Sequence, residues 1–149
     1  MGNGNSISIG LQNLADSYFS NVGGYHATTI GNTMVDGDLS RINIGVSANN
    51  YDNTKGARVI KTGDFMIRGN SANLNVGLQN LDFFPSSFFS NVGGSHITQV
   101  GNIMNDGDLA RINVGVSAQN YDNTNGQRIV RTGDIMLRGN SANVNIGLL

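Results

Sequence analysis

Residues 37–45 read GDLSRINIG and residues 69–77 read GNSANLNVG; the same nonapeptide returns as GDLARINVG at 107–115 and GNSANVNIG at 139–147. Apolar and polar residues alternate through each copy and just beyond it. Ile42, Ile44 and Val46 stand against Arg41 and Asn43, and Leu74, Val76 and Leu78 against Asn73 and Asn75. The later copies set Ile112, Val114 and Val116 against Arg111 and Asn113, and Val144, Ile146 and Leu148 against Asn143 and Asn145. A period of two over six residues predicts a strand with one buried face. Glycine recurs about every six to eight residues in these regions, and each would cost a helix interior about 1 kcal/mol. No helical spacing is sustained, so the chain reads as all-β.

The repetition extends beyond the nonapeptide. Residues 18–76 match 88–146 without a gap, identical at about two-thirds of positions. Each half divides again, 18–45 overlaying 50–77 and 88–115 overlaying 120–147. Two tandem repeats, 11–77 and 78–149, therefore hold two units each, and GNGNSISIG at 2–10 is an additional N-terminal copy of the closing strand. A fixed period of about 32–38 residues predicts a parallel β-solenoid of four rungs with amyloid-like stacking, in one domain spanning 1–149.

In such a stack equivalent residues of consecutive rungs lie about 4.8 Å apart, so the alignment predicts contacts. One column reads Asp36, Arg68, Asp106, Arg138; two others dilute charge with Asn, as Asp38, Asn70, Asp108, Asn140 and Arg41, Asn73, Arg111, Asn143. A fourth is Asn32, Asp64, Asn102, Asp134, and a fifth sets His26 and His96 between Arg58 and Arg128. With neutral histidines no two adjacent rungs carry the same full charge, as stacking would select. Asn21, Asn53, Asn91 and Asn123 form one uninterrupted column and Asn43, Asn75, Asn113 and Asn145 another, each an expected amide ladder. Met34, Met66, Met104 and Met136, with Val59, Phe65, Ile129 and Ile135, are expected in the core. The His–Arg column is expected on the surface. Phe83, Phe84, Phe88 and Phe89, on the arc that holds the one proline, Pro85, are expected to cover a core edge.

Composition removes several classes of function. Charged residues make up 13% of the chain and the net charge is −1; nucleic acid and anionic membranes call for a basic face. There is no cysteine, hence no disulfide, thiolate metal site or Cys nucleophile. No apolar run approaches 18 residues and no secretory signal is evident, so a cytoplasmic or non-classically released protein is expected. Met1, Gly2 and Ser6 fit an N-myristoylation pattern, but they also belong to the strand copy at 2–10.

The two-turn period, the GNSA-type and GDxxR-type strand openings, the alternating charges and the Asn columns together resemble the fungal HET-s-type amyloid β-solenoid. FSNVGG at 19–24 and 89–94 is also similar to short segments of fungal NLR-like proteins. The resemblance implies ordered fibrils around a triangular apolar core. This chain departs from it in having four units instead of two and no effector domain, which favours a structural fibre over signalling.

No catalytic constellation is evident: the histidines occupy equivalent positions, and no G-x-S-x-G elbow occurs. Asp36-Gly37-Asp38 and Asp106-Gly107-Asp108 resemble calcium-loop openings, but the series is not completed and alternate copies carry Arg68 and Asn70. Neither metal nor cofactor is expected. The expected partner is the chain itself, joined head to tail. Ile7 and Ile9 at one end and Val144 and Ile146 at the other form the assembly surfaces, neither of them capped. The alternative is a repeat-built lectin, since Asn/Asp/Gly-rich loops with Tyr51 and Tyr121 suit carbohydrate.

Overall fold

The computed structural model describes residues 4, 6–12, 18–48, 50–79, 88–108, 110–117 and 120–148. Strand β1 (Ser6–Gln12) precedes four rungs. Rung one holds β2 (Tyr18–Ser20), β3 (Tyr25–Ile30), β4 (Thr33–Asp36) and β5 (Arg41–Ser47). Rung two holds β6 (Asn50–Asp52), β7 (Ala57–Thr62), β8 (Phe65–Arg68) and β9 (Asn73–Gln79). Rung three holds β10 (Phe88–Ser90), β11 (Ser95–Val100), β12 (Ile103–Asp106) and β13 (Arg111–Ser117). Rung four holds β14 (Tyr121–Asp122), β15 (Gln127–Thr132), β16 (Ile135–Arg138) and β17 (Asn143–Leu148).

Corresponding strands stack in parallel. Sheet I is β2-β6-β10-β14, sheet II β3-β7-β11-β15, sheet III β4-β8-β12-β16 and sheet IV β1-β5-β9-β13-β17. The chain is thus an all-β parallel solenoid, and among the described residues no helix is long and apolar enough to cross a membrane. Residues aligned in sequence are Cα partners: Ile44 faces Val76, Val76 faces Val114, and Val114 faces Ile146.

Two apolar clusters fill the interior. Ile42, Ile44, Leu74, Val76, Ile112 and Val114 of sheet IV pack with Ile60, Val100, Phe65, Ile67 and Ile103 of sheets II and III. Val46, Leu78 and Val116, two residues further along sheet IV, pack instead with Tyr51 and Phe89 of sheet I. The glycines between the two sets, Gly45, Gly77 and Gly115, have φ of +123°, +130° and +127°. That backbone bends each strand, so one sheet serves both clusters. Tyr51 and Phe89 meet edge to face with centroids 6.0 Å apart, a favoured aromatic geometry.

The methionine column is a correction. Met34 is 70% exposed and Met136 46% exposed, because Met34, Met66, Met104 and Met136 point out of sheet III. Its inward positions belong to the Phe65 and Ile67 columns, whose members in the two middle rungs, Phe65, Ile67, Ile103 and Asn105, are buried. In a four-residue strand both phases carry apolar residues, and the exposed Asp36 column decides between them: alternation puts Val35 in and Met34 out. Val59 and Ile129 are likewise half-buried on the outer side of sheet II, between inward Arg58 and Ile60, or Arg128 and Val130. Phe65 and Ile135 do pack in the core. Phe83, Phe84 and Pro85 lie outside the described residues, while Phe89 is fully buried and Phe88 is 42% exposed.

Asn105 stands in the buried column whose other members are Val35, Ile67 and Leu137. It is 1% exposed; its Nδ2 donates to Gly107 O at 3.1 Å, and its Oδ1 has no protein partner. Asn105→Leu, which matches Leu137, should therefore stabilise the fold by about 1–2 kcal/mol, read as a higher urea midpoint at constant m-value.

Candidate functional site: stacked polar columns

The unit places an Asn directly after each strand of sheet I. Asn21 Nδ2 donates to Asn53 Oδ1 at 2.7 Å, Asn53 Nδ2 to Asn91 Oδ1 at 2.7 Å, and Asn91 Nδ2 to Asn123 Oδ1 at 2.6 Å. The same nitrogens reach the main-chain oxygens of Ala57, Ser95 and Gln127 at 3.1–3.2 Å. That second bond fixes the amide orientation, since a flipped amide would set oxygen against oxygen. Asn53 and Asn91 are buried, and their engagement on both sides is what makes burial of an amide tolerable.

The second ladder runs the opposite way. On sheet IV, Asn75 Nδ2 donates to Asn43 Oδ1 at 2.8 Å, Asn113 Nδ2 to Asn75 Oδ1 at 2.7 Å, and Asn145 Nδ2 to Asn113 Oδ1 at 3.0 Å. The first ladder thus donates from rung one toward rung four, and the second from rung four toward rung one.

Two of the mixed Asp/Asn columns do something that sequence reasoning missed. Asn32 Oδ1 accepts the Asp64 N–H at 2.8 Å, Asp64 Oδ1 the Asn102 N–H at 2.7 Å, and Asn102 Oδ1 the Asp134 N–H at 2.9 Å. Likewise Asp38 Oδ1 accepts the Asn70 N–H at 2.8 Å, Asn70 Oδ1 the Asp108 N–H at 3.0 Å, and Asp108 Oδ1 the Asn140 N–H at 2.7 Å. Each position requires an Oδ1 at one distance from the main chain, which Asp and Asn both supply. Alternating the two keeps the acceptor and avoids stacked carboxylates. The signal was present in the sequence: all eight positions are Asp or Asn, and none is Glu, Gln or Ser.

The fully alternating column is in register, Asp36 facing Arg68, Arg68 facing Asp106 and Asp106 facing Arg138, with all four exposed. Arg41, Asn73, Arg111 and Asn143 are also successive partners, the two arginines exposed. At the ends of sheet IV, Ile7 and Ile9 face Ile42 and Ile44, and Val144 and Ile146 face Ile112 and Val114. Ile9 is 38% and Ile146 50% exposed. No cluster of three or more His, Cys, Asp or Glu converges among the described residues.

The His–Arg column is a second correction, because it faces inward. Arg58 is 0% and His96 1% exposed, while His26 and Arg128 are half-buried. All four are register partners in sheet II, on the face that also carries buried Ile60 and Thr98. The Arg58 guanidinium lies 5.5 Å from the centre of the Tyr51 ring, and that of Arg128 lies 5.9 Å from the Tyr121 ring. Each aromatic face thereby offsets part of the desolvation of a cation. Burial lowers Arg58 to about 10, which leaves it charged at neutral pH. Burial, with Arg58 and Arg128 on either side, lowers His96 to about 3. Charge therefore alternates inside the protein as it does outside.

That depression makes stability depend on pH. Below its ordinary pKa of 6.5 the unfolded histidine binds a proton that the folded one refuses. Stability therefore falls as pH drops from about 6.5 toward 3, by up to about 1.4 kcal/mol per pH unit. His26, lowered by burial and by Arg58, adds in the same direction. His96→Leu should flatten the profile of urea midpoint against pH between about 6 and 4; an unchanged slope would contradict a buried neutral imidazole.

Comparison with protein-family models, curated proteins and solved structures finds no match to this chain.

Proposed function

We propose that this chain is a self-associating structural protein whose rungs continue from one molecule into the next as an amyloid-like filament, without catalysis. The observation that carries this reading is that each Asn ladder runs in one direction through all four rungs, so that its two ends differ. At rung one the ladders terminate in an acceptor, Asn21 Oδ1, and a donor, Asn43 Nδ2; at rung four they terminate in a donor, Asn123 Nδ2, and an acceptor, Asn145 Oδ1. The two end faces are complementary, donor to acceptor, when a second copy stacks head to tail with its β17 in the place of β1, which lies against Asn43. The charge column agrees, since Arg138 then falls over Asp36 of the next copy. Net charge near zero favours association, and the HET-s-type resemblance supports the same reading.

Purified chain should give unbranched fibres in negative stain and a reflection near 4.8 Å along the fibre axis. A stable monomer by sedimentation at high concentration, with no fibres, would overturn the proposal. Retention of that monomer on a glycan array would favour carbohydrate binding instead. Arg68→Asp, which sets three acidic groups in successive rungs, should cost only about 1 kcal/mol in stability. It should nevertheless slow assembly at low ionic strength, and added salt should restore the rate.

A further inference from the structure

Among the described residues, sheet IV has five strands, whereas sheets I, II and III have four. The extra strand is β1, which lies on the outer edge of β5 in full register from Ser6 opposite Arg41 to Gln12 opposite Ser47. Its attachment copies that of an interior rung. Gly4 N–H donates to Asp38 O at 3.0 Å, just as Leu39 N–H donates to Asn70 O and Ser71 N–H to Asp108 O at 2.8 Å. Among the described residues, β2, β3 and β4 have no strand on that side.

A second copy that stacks its fourth rung on this first rung brings β14, β15 and β16 onto the open edges of β2, β3 and β4. Its β17 then arrives at the edge of β5, where β1 already sits. A strand edge pairs with one strand, so β1 and the incoming β17 exclude each other. The two are alternative occupants of the same place: Ile7, Ile9 and Gly10 of β1 correspond to Val144, Ile146 and Gly147 of β17 through their register with β5 and β13. They differ at the ladder position. Ser8 faces Asn43, where β9, β13 and β17 all carry an amide. The Asn43 side chain thus has the shorter Ser8 opposite it in β1 and would have Asn145 opposite it in β17.

Resting on the filament reading above, we propose that β1 is a placeholder strand: it covers the growth edge of rung one, and a second copy of the chain adds by displacing it with its own β17. The Ser at position 8 leaves β1 the weaker of the two ligands for that edge, by the order of one net hydrogen bond, about 1 kcal/mol or a fivefold preference. Displaced, β1 becomes a tether outside the stack. Elongation is then a strand exchange, slow to start and favourable once begun.

The test is a reversible lock in the full chain. Ser6 and Arg41 are register partners, both exposed, and the protein has no native cysteine. The double variant Ser6→Cys/Arg41→Cys can therefore form one defined disulfide between adjacent strands. Oxidised, it should form no fibres over at least ten times the lag that the same variant shows when reduced, on the order expected for a blocked edge. Ile7→Asp, which loosens β1 alone, should shorten the lag at least about tenfold. In wild-type fibres the amides of 6–12 should lose the hydrogen-exchange protection they have in the monomer. Equal growth of the oxidised and reduced lock, or protected 6–12 amides in fibres, overturns the placeholder and leaves the filament reading standing. Failure of wild type, reduced lock and Ile7→Asp alike to form fibres overturns the filament reading itself.

Discussion

Gly77→Ala should abolish the fold. A methyl at that position would overlap the carbonyl oxygen of Gly115 in the next rung and lie 2.8 Å from its carbon, at a φ of +130°. The strained φ alone costs an L-residue about 1–3 kcal/mol. The overlap cannot be relieved by a side-chain rotation, because the atom struck belongs to the main chain of the interior strand β13. Moving it would break the pairing of β9 with β13 and of β13 with β17. The total should exceed about 4 kcal/mol, a large part of the 5–15 kcal/mol that holds a typical domain together. Far-ultraviolet circular dichroism of the purified variant should show loss of the β signal. Gly31→Ala provides the control: nothing lies within 4 Å of its added methyl and its φ is not in the left-handed region. That variant should change stability by less than about 0.5 kcal/mol. If Gly77→Ala unfolds at the wild-type urea midpoint, rungs two and three are not stacked as described.

Asn53→Ala should be the most damaging change to the polar columns. Asn53 Oδ1 accepts from Asn21 at 2.7 Å, and its Nδ2 donates to Asn91 Oδ1 at 2.7 Å and to Ser95 O at 3.2 Å, in a side chain 1% exposed. Alanine removes these bonds and leaves the buried oxygens of Asn91 and Ser95 short of a donor. At about 1 kcal/mol per bond plus the desolvation of the orphaned groups, the loss should be about 3–4 kcal/mol. Asn145→Ala, at the end of the other ladder, breaks one side-chain bond, to Asn113 at 3.0 Å. It should cost only about 1 kcal/mol. Equal effects of the two changes on the urea midpoint would mean that the amides act singly and not as a ladder.

Much of the fold could be read from residues whose role repeats. Four copies of one unit align without ambiguity, and the aligned positions are the observed Cα partners in all four sheets. The strands of sheet IV were legible because six alternating residues define their own phase. The four-residue strands of sheet III were not: Thr33-Met34-Val35-Asp36 and Phe65-Met66-Ile67-Arg68 are apolar in both phases. Arg58 and His96 misled for a different reason. Polarity suggested an outward face, although each lies two residues before an inward member of its strand, Ile60 and Thr98. Alternation carried the right answer there, and the hydropathy of one residue obscured it.

By itself the sequence determined the number of rungs, the register between them and the alternation of charge along each column, because identical units stacked in parallel must place like positions over like. Only the tertiary structure decided which side of a short strand is buried, since the strands of sheet III are apolar in both phases and their packing against sheet IV chooses between them. It also decided the direction of each amide ladder and the occupant of the β5 edge. Both rest on hydrogen-bond geometry across rungs, where one donor can serve only the acceptor in front of it, and one edge can hold only one strand.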